Sequence, residues 1–103
     1  MTRHGIEISE EKLAEFCRRN HIRILSLFGS ILRDDFGPDS DVDVLVEFEP
    51  GHTPGFAFIR MENELSALVG GRKVDLVLRN ALLPRLRKRI LAQEVVQYVS
   101  KEG

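Results

Sequence analysis

The sequence predicts an α/β (α+β) fold: a small mixed β-sheet with helices packed on one face and a functional site along the other. Short apolar runs rich in branched residues have the length of strands. Stretches with apolar residues at helical spacing lie before, between and after these runs, an alternation that is typical of α/β proteins. The predicted strands are Ile22–Phe28, Val42–Phe48, 73–79 and a last edge strand, Val95–Val99.

Length and composition restrict the class of protein. With 103 residues, the chain is expected to form one domain, 1–103, without room for a second substrate-binding lobe. The 15 basic and 16 acidic residues nearly balance, so no overall charge favours a nucleic acid or a membrane as partner. The sequence shows neither a signal-peptide core nor an apolar stretch near the roughly 20 residues that span a bilayer. A single cysteine fits a reducing compartment, and we expect a soluble, cytoplasmic protein.

The first helix is predicted to begin at Ser9 and to end near residue 20. A serine followed by two glutamates suits a helix start, because the serine caps a free N–H and the acids face the positive end of the helix dipole. Leu13, Phe16 and Cys17 then form one apolar stripe. Cys17 is expected to be a buried structural thiol rather than a nucleophile, since no basic activator lies beside it.

Two later stretches are also predicted to be helical. One follows the irregular loop 49–55 and ends at Gly70-Gly71, with an apolar stripe of core residues. The other spans 82–93, with its apolar residues facing inward. Three basic residues gather on its opposite side, where a solvated face is the default interpretation and a contact surface for an acidic partner or RNA is the alternative. The first stripe is Phe58, Met61, Leu65 and Leu68; the second is Leu83, Leu86 and Ile90; the basic cluster is Arg85, Lys88 and Arg89.

Two aspartates at the head of the second strand carry the strongest chemical signal. Side chains alternate along a strand, so Asp41 and Asp43 share one face while the neighbouring valines project to the other. Two carboxylates about 7 Å apart on one face repel each other unless a positive charge lies between them. A hard divalent cation such as Mg²⁺, which takes oxygen ligands, would relieve that repulsion.

A glycine-serine turn supplies a complementary feature. Gly29-Ser30 ends the first strand, and one or two helical turns are predicted over 31–36, before the turn residues 37–40. Glycine lets the backbone approach a ligand closely, and a helix start offers free N–H groups to an anion. Each signal alone is weak, because an Asp-x-Asp pair is often only a solvated strand edge. Their ordered combination predicts a nucleoside triphosphate site with metal-binding carboxylates facing a phosphate cradle.

A third carboxylate, Asp75, lies inside the apolar strand 73–79. An aspartate is costly to bury without a partner, which favours a functional interpretation. If this strand lies beside Val42–Phe48, the three aspartates meet at one polar edge.

The histidines carry no comparable signal. His52 could approach a bound base, but an exposed loop histidine without function is the favoured interpretation, and no histidine has metal-ligand spacing to another histidine or cysteine.

The residues Gly29-Ser30, Arg33 and Ser40-Asp41-Val42-Asp43 resemble the GSxxR…SDxD motif of the minimal nucleotidyltransferases, small relatives of the DNA polymerase beta superfamily. The resemblance covers residues 22–78. Many members of this family are encoded as antitoxins beside HEPN-domain toxins. The chain departs from the usual pattern at Leu32 and Asp34, where many members have alanine and glycine. This departure affects the loop after the short helix and leaves the metal ligands in place.

The resemblance implies a polymerase beta-like nucleotidyltransferase fold and a Mg²⁺-dependent reaction, with two ions expected and Mn²⁺ as a substitute. A nucleoside monophosphate, AMP from ATP, would be transferred to a hydroxyl of a HEPN-type toxin. Arg33 is expected either to clamp a phosphate or carboxylate or to form a structural salt bridge. The expected site residues are Asp41, Asp43 and Asp75 for metal and catalysis, and Gly29, Ser30 and Arg33 for the phosphates.

Two alternatives stay open. One is nucleotidylation of a small molecule such as an antibiotic, which is disfavoured because the chain has no room for that pocket without oligomerising. The other is a binding-only antitoxin that neutralises its toxin by contact and keeps the fold as a scaffold. The presence of all three aspartates argues against a decayed site. A nucleic acid is not expected as the direct substrate.

Overall fold

The computed structural model of the protein describes residues 2–52 and 54–100. Within these ranges there are six strands, three α-helices and two 3₁₀ helices, and none of the helices is long and apolar enough to cross a membrane. In chain order the elements are β1 (Thr2–Arg3), β2 (Ile6–Glu7), α1 (Glu10–Arg19), β3 (Ile22–Phe28), the 3₁₀ helix Gly29–Leu32, β4 (Val42–Phe48), α2 (Ala57–Leu68), β5 (Val74–Leu78), the 3₁₀ helix Arg79–Ala81, α3 (Pro84–Gln93) and β6 (Val95–Val99).

Four strands form a mixed sheet with the order β5-β4-β3-β6. β3 pairs antiparallel with both β4 and β6, and β4 pairs parallel with β5. α2 lies in the crossover connection that a parallel β4–β5 pair requires. The predicted α/β fold with a small mixed sheet is confirmed, and β3 and β4 have the predicted bounds. The short β1–β2 hairpin is an element that the sequence did not predict.

α1 and α2 pack on one face of the sheet and build the main core with it. Ser9 begins α1 as predicted, because its side chain accepts a hydrogen bond from the amide of Lys12 at 3.3 Å. Burying each large apolar side chain contributes roughly 1.5–3 kcal/mol. The buried residues on this face include Leu13, Phe16 and Cys17 of α1, Met61 and Leu65 of α2, and Val42, Val44 and Val46 of β4.

Cys17 lies inside this core and has no exposed surface. Burial raises the pKa of its thiol to about 12, against a smaller lowering effect from the charge of Arg18. A thiol that stays protonated at neutral pH is a poor nucleophile and a poor metal ligand. The prediction of a buried structural thiol is confirmed.

The opposite face of the sheet carries Asp43 at one end and is covered at its centre. Ser26 and Leu45 are register partners on this face and are buried, although they lie outside the main core. Because β5 and β6 are the outer strands, the segment between them passes from one edge of the sheet to the other. Arg79 and Glu94, at the ends of that segment, form an ion pair with side chains only 12% and 10% exposed. The packing of α1 and α2 on one face of the sheet agrees with the prediction. The other face, along which the functional site was expected, is covered at its centre and open only at its end.

The helical turn predicted over 31–36 is wrong. The 3₁₀ helix begins at Gly29 itself and ends at Leu32, and Arg33 is already extended, with φ −112° and ψ 162°. Gly29 adopts φ +75°, a left-handed conformation that turns the chain directly at the end of β3. The motif glycine therefore lies inside the turn rather than before it.

The last helix also differs from its prediction. α3 begins at Pro84 rather than at residue 82. Proline suits the first helical position, because its fixed φ is helical and the N–H that it lacks would have no partner inside the helix there. Leu83 and Leu86 were predicted to face inward but are 53% and 40% exposed. No residue of α3, all of which the structure describes, is fully buried. The three residues of the basic cluster are exposed, and their role in contacting a partner stays a prediction.

Candidate active site

Asp43 and Asp75 lie side by side on the parallel strands β4 and β5, as direct register partners. Their side chains therefore project from the same face of the sheet. The pKa of Asp43 is raised above its usual range, first by burial and then by the negative charges of Asp75 and Asp41. The structure thus brings the three aspartates into electrostatic contact.

Asp43 is also held by the turn that follows β3. A backbone N–H from Ser30 donates a hydrogen bond to the Asp43 carboxylate and partly offsets the rise of its pKa. A Cβ on Gly29 would lie 2.3 Å from Oδ2 of Asp43, so only glycine fits beside this carboxylate. The amide of Ser30 thus binds Asp43 in this arrangement, and the predicted contact of Ser30 with a phosphate stays a prediction. The hydroxyl of Ser30 donates a long hydrogen bond, 3.4 Å, to the carbonyl of Asp41.

Asp41 lies just before β4 and is partly open to solvent. Its side chain is 41% exposed, and its Oδ2 is 4.0 Å from Nζ of Lys73. The amide of Val42 donates to the carbonyl of Lys73 at 2.8 Å, which fixes the start of β4 against the start of β5. The three aspartates do not form a compact set of ligand atoms within 4.8 Å of one another, unlike another group among the described residues. Carboxylate oxygens are the ligands that suit Mg²⁺, and the charge of that ion would offset the repulsion among them.

Arg33 is near the site but points to the surface. Its Nε donates to Oδ1 of Asp35 at 3.1 Å, and both side chains are well exposed. The positive charge of Arg33 still lowers the pKa of Asp43 slightly. The pair with Asp35 is weak in water, typically below about 1 kcal/mol, so Arg33 is free to exchange this partner for an anionic ligand.

Arg72 supports the loop that leads into Asp41, and the sequence did not predict its role. Its guanidinium donates to the carbonyls of Gly37 and Ser40, the latter at 2.8 Å. Its Cζ lies 4.5 Å from the centre of the Phe36 ring, a cation–π contact. Ser40 closes the same loop, because its hydroxyl accepts from the amide of Gly37 at 3.0 Å. No local pattern distinguishes Arg72 from the other arginines, since its partners lie more than 30 residues away in sequence.

His52 is an exposed residue of the loop after β4, as the favoured interpretation has it. His52 is at the end of β4 opposite to Asp43, so it is not placed to approach a base bound beside the aspartates. It stacks on His21 with ring centres 3.9 Å apart, and Glu49 is part of the same group. The histidines have no metal-ligand spacing in the sequence, but the fold brings His21, Glu49 and His52 together in space. Sequence spacing cannot show this proximity, because the antiparallel pairing of β3 and β4 brings residues 21 and 49 together.

A mixed sheet that presents carboxylates beside a glycine-serine turn is the arrangement of a nucleotidyltransferase. Residues 10–97 match the family model described as "Nucleotidyltransferase domain". The chain belongs to this enzyme family, and its resemblance to the minimal nucleotidyltransferases is confirmed.

The relatives agree with this assignment. The chain is 40% identical over 82 residues to the protein adenylyltransferase MntA of Thermococcus cleftensis, covering 79% of this chain and 80% of that protein. Two solved structures share the fold. A toxin-antitoxin complex with AMP-PNP matches with a TM-score of 0.71 and 21% identity, over 92% of this chain and 77% of that one. A tri-AMPylated Shewanella oneidensis HEPN toxin in complex with an MNT antitoxin matches with a TM-score of 0.63 and 20% identity, over 90% and 71% of the two chains.

Proposed function

We propose that this chain is a divalent-metal-dependent adenylyltransferase that transfers AMP from ATP to a hydroxyl of a partner protein, a HEPN-type toxin. The observation that carries the proposal is the pairing of Asp43 with Asp75, within the electrostatic reach of Asp41, beside the glycine-serine turn. The relative named as a protein adenylyltransferase supports the reaction class. The fold neighbours with AMP-PNP and with an AMPylated HEPN toxin support ATP and this type of partner.

The three aspartates fit a divalent cation. Their donor atoms are all carboxylate oxygens, which suit Mg²⁺. Burial, and after it the negative charges of Asp75 and Asp41, raises the pKa of Asp43, and a bound cation would stabilise the ionised carboxylates. Asp41, Asp43 and Asp75 would hold two Mg²⁺ ions, with Mn²⁺ as a substitute. When bound, the metal neutralises charge on the triphosphate and polarises its phosphorus–oxygen bonds.

The remaining residues position the substrates. Because Gly29 has no side chain, the backbone of the turn can lie directly against the Asp43 carboxylate. Gly29, Ser30 and Arg33 of this turn would contact the phosphate oxygens. The oxygen of the acceptor hydroxyl bonds to the α-phosphorus of ATP while the bond from that phosphorus to the bridging oxygen breaks, and pyrophosphate leaves. Asp75 would accept the hydroxyl proton, since it lies beside Asp43 and is exposed to an approaching partner.

The first test measures ATP binding by calorimetry with Mg²⁺ and with EDTA. We expect binding to depend on the metal, because three carboxylates would otherwise face the charge of the triphosphate. Equal affinity in EDTA would contradict the proposed site.

The second test separates an enzyme from a binding-only antitoxin. The chain is co-expressed with a HEPN-type toxin, and transfer of labelled AMP to that toxin is measured. Asp43→Asn should abolish transfer while the variant still co-purifies with the toxin, because docking does not use this carboxylate. Neutralisation of the toxin without transfer by the parent would support the binding-only alternative.

A further inference from the structure

His21, Glu49 and His52 form a cluster at the end of the sheet opposite to the aspartates. The amide of Glu49 donates to the carbonyl of His21 at 2.9 Å, where β3 begins and β4 ends. The chain then turns at once, and the amide of His52 donates back to the carbonyl of Glu49 at 3.0 Å. The backbone therefore fixes all three residues next to one another, although His21 is far from the other two in sequence.

The side chains of the cluster converge as a metal-ligand set. One nitrogen from each histidine and one oxygen of Glu49 all lie within 4.8 Å of one another, and Nδ1 of His21 is 3.6 Å from Oε2 of Glu49. Ligands around a tetrahedral Zn²⁺ at about 2.0–2.1 Å are roughly 3.3 Å apart. The His21–Glu49 distance is already close to that value. The two imidazoles are stacked, so the His52 ring must rotate out of the stack to direct a nitrogen at the same ion as His21. An exposed side chain in a turn can make this rotation at low cost.

The end of α1 places the His21 imidazole in the cluster. His21 has φ +57°, a left-handed conformation that is common directly after a helix C-terminus, and its amide donates to the carbonyl of Arg18 at 3.3 Å. Its imidazole lies beside Glu49 and stacks on His52, with an angle of 16° between the rings. An ion pair of His21 with Glu49 would not require the second imidazole. Two imidazoles and a carboxylate together are a donor set that catalytic and structural zinc sites use.

We propose that His21, Glu49 and His52 bind a divalent transition-metal ion of the Zn²⁺ type, with water completing the coordination. This site is separate from the nucleotide site, because the six residue-to-residue steps from Asp43 to Glu49 along extended chain span about 20 Å. Chemistry also separates the two sites. Imidazole nitrogens favour Zn²⁺ over Mg²⁺, whereas the three aspartates offer only the hard oxygen ligands that suit Mg²⁺. The bound ion would tie the α1–β3 junction to the β4–α2 loop.

The test uses untagged protein that has been stripped of metal, and ZnCl₂ or CoCl₂ as the probe. Titrations are made in excess Mg²⁺, which competes with Zn²⁺ for the aspartate oxygens. We expect one Zn²⁺ per chain, a rise in Tm on Zn²⁺ addition, and the visible absorption of tetrahedral Co²⁺. Cys17 is buried and protonated, so it does not compete as a ligand.

Three variants and two controls locate the ion. His52→Ala, His21→Ala and Glu49→Gln should each weaken Zn²⁺ binding by at least about tenfold, with unchanged circular dichroism without metal. His4→Ala is the matched control: it removes the remaining histidine, which lies near Ile31 and Phe36 instead. This control and Asp43→Asn should retain the parent affinity for Zn²⁺. Absence of Zn²⁺ binding, persistence of full binding in the cluster variants, or an equal loss in Asp43→Asn would each overturn the proposal.

Discussion

Gly29 and Asp43 are in direct contact at the end of the β3–β4 pair, where the absence of a side chain on Gly29 makes room for the Asp43 carboxylate. A Cβ on residue 29 would be 2.3 Å from Oδ2 and 3.1 Å from Cγ of Asp43. The two halves of the sequence motif are thus linked physically. The aspartate requires the glycine, and the amide that follows the glycine binds the aspartate.

The first prediction is that Gly29→Ala abolishes nucleotide binding. The alanine would have to adopt φ +75° and would push the Asp43 carboxylate out of its position. We expect a loss of stability of about 1–3 kcal/mol. Urea denaturation measures this stability, and calorimetry with Mg²⁺ and ATP measures binding.

Gly70→Ala provides the matched control. Gly70 has φ +76°, nearly the same as Gly29, but a Cβ there would meet no atom within 4 Å. This variant therefore isolates backbone strain from contact with the carboxylate, and it should keep the affinity for ATP. Equal ATP binding by the two variants would show that the contact between Gly29 and Asp43 is irrelevant to the site.

The second prediction concerns Asp43→Asn without metal. Because the pKa of Asp43 is raised above its usual 3.8, the folded state binds the proton more tightly than the unfolded state, and the ionised form costs stability. This cost grows as pH rises through the unfolded and then the folded pKa, and it is complete at neutral pH. The asparagine avoids it and can still accept from the amide of Ser30. In EDTA at pH 7 the variant should equal or exceed the parent in stability, by up to about 1 kcal/mol.

Two further measurements check the direction of this stability difference between Asp43→Asn and the parent. Lowering the pH toward 4 should shrink the difference between the parent and Asp43→Asn, because the parent carboxyl then takes up its proton. Adding Mg²⁺ and ATP should reverse the order, since ligand that binds only the folded state adds about 2.7 kcal/mol at a hundredfold excess over Kd. A strongly destabilised variant in EDTA would mean that Asp43 is a structural residue.

The third prediction is that Arg72→Met loosens the loop that carries Asp41. The change removes the hydrogen bonds to the carbonyls of Gly37 and Ser40 and the charge over Phe36. We expect a loss of about 1–3 kcal/mol and a weaker affinity for Mg²⁺ and ATP, because Asp41 follows Ser40 directly. Lys88→Met, at an exposed position on α3, should change neither quantity. Equal effects of the two substitutions would remove Arg72 from the support of the site.

Local patterns predicted those parts of the protein that local chemistry determines. β3 and β4 have the predicted bounds because their branched apolar runs end in a glycine and begin after a turn, respectively. To predict that Asp43 and Asp75 are neighbours, one additional fact was needed: β4 pairs in parallel with β5. Arg72 and the His21 cluster depend wholly on tertiary contacts. The same limit of sequence-based prediction applies to α3. Helical spacing identified its apolar stripe, but it could not show that Leu83 would be left exposed.

The fourth prediction is that the ion pair of Arg79 with Glu94 holds β5 and β6 in one sheet. α3, which connects these strands, has no buried residue of its own, so the buried pair at its two ends is the stronger constraint. Arg79→Ala would leave Glu94 charged and buried, and its Oε2 already lacks a hydrogen-bond partner among the described residues. Breaking a buried pair in this way costs about 3–5 kcal/mol, while replacing both partners by Met and Gln should cost much less.

A double-mutant cycle in urea measures the coupling between Arg79 and Glu94. Arg19 and Glu64 provide the comparison, since their pair at 2.9 Å is 55% and 34% exposed and should couple by less than about 1 kcal/mol. We expect the coupling of the buried pair to be several times larger, and Arg79→Ala to lower Tm without changing Zn²⁺ affinity at the distant histidines. If the two cycles give the same small value, the buried pair is not what joins β6 to the sheet, and the hydrogen bonds between β3 and β6 must carry that role.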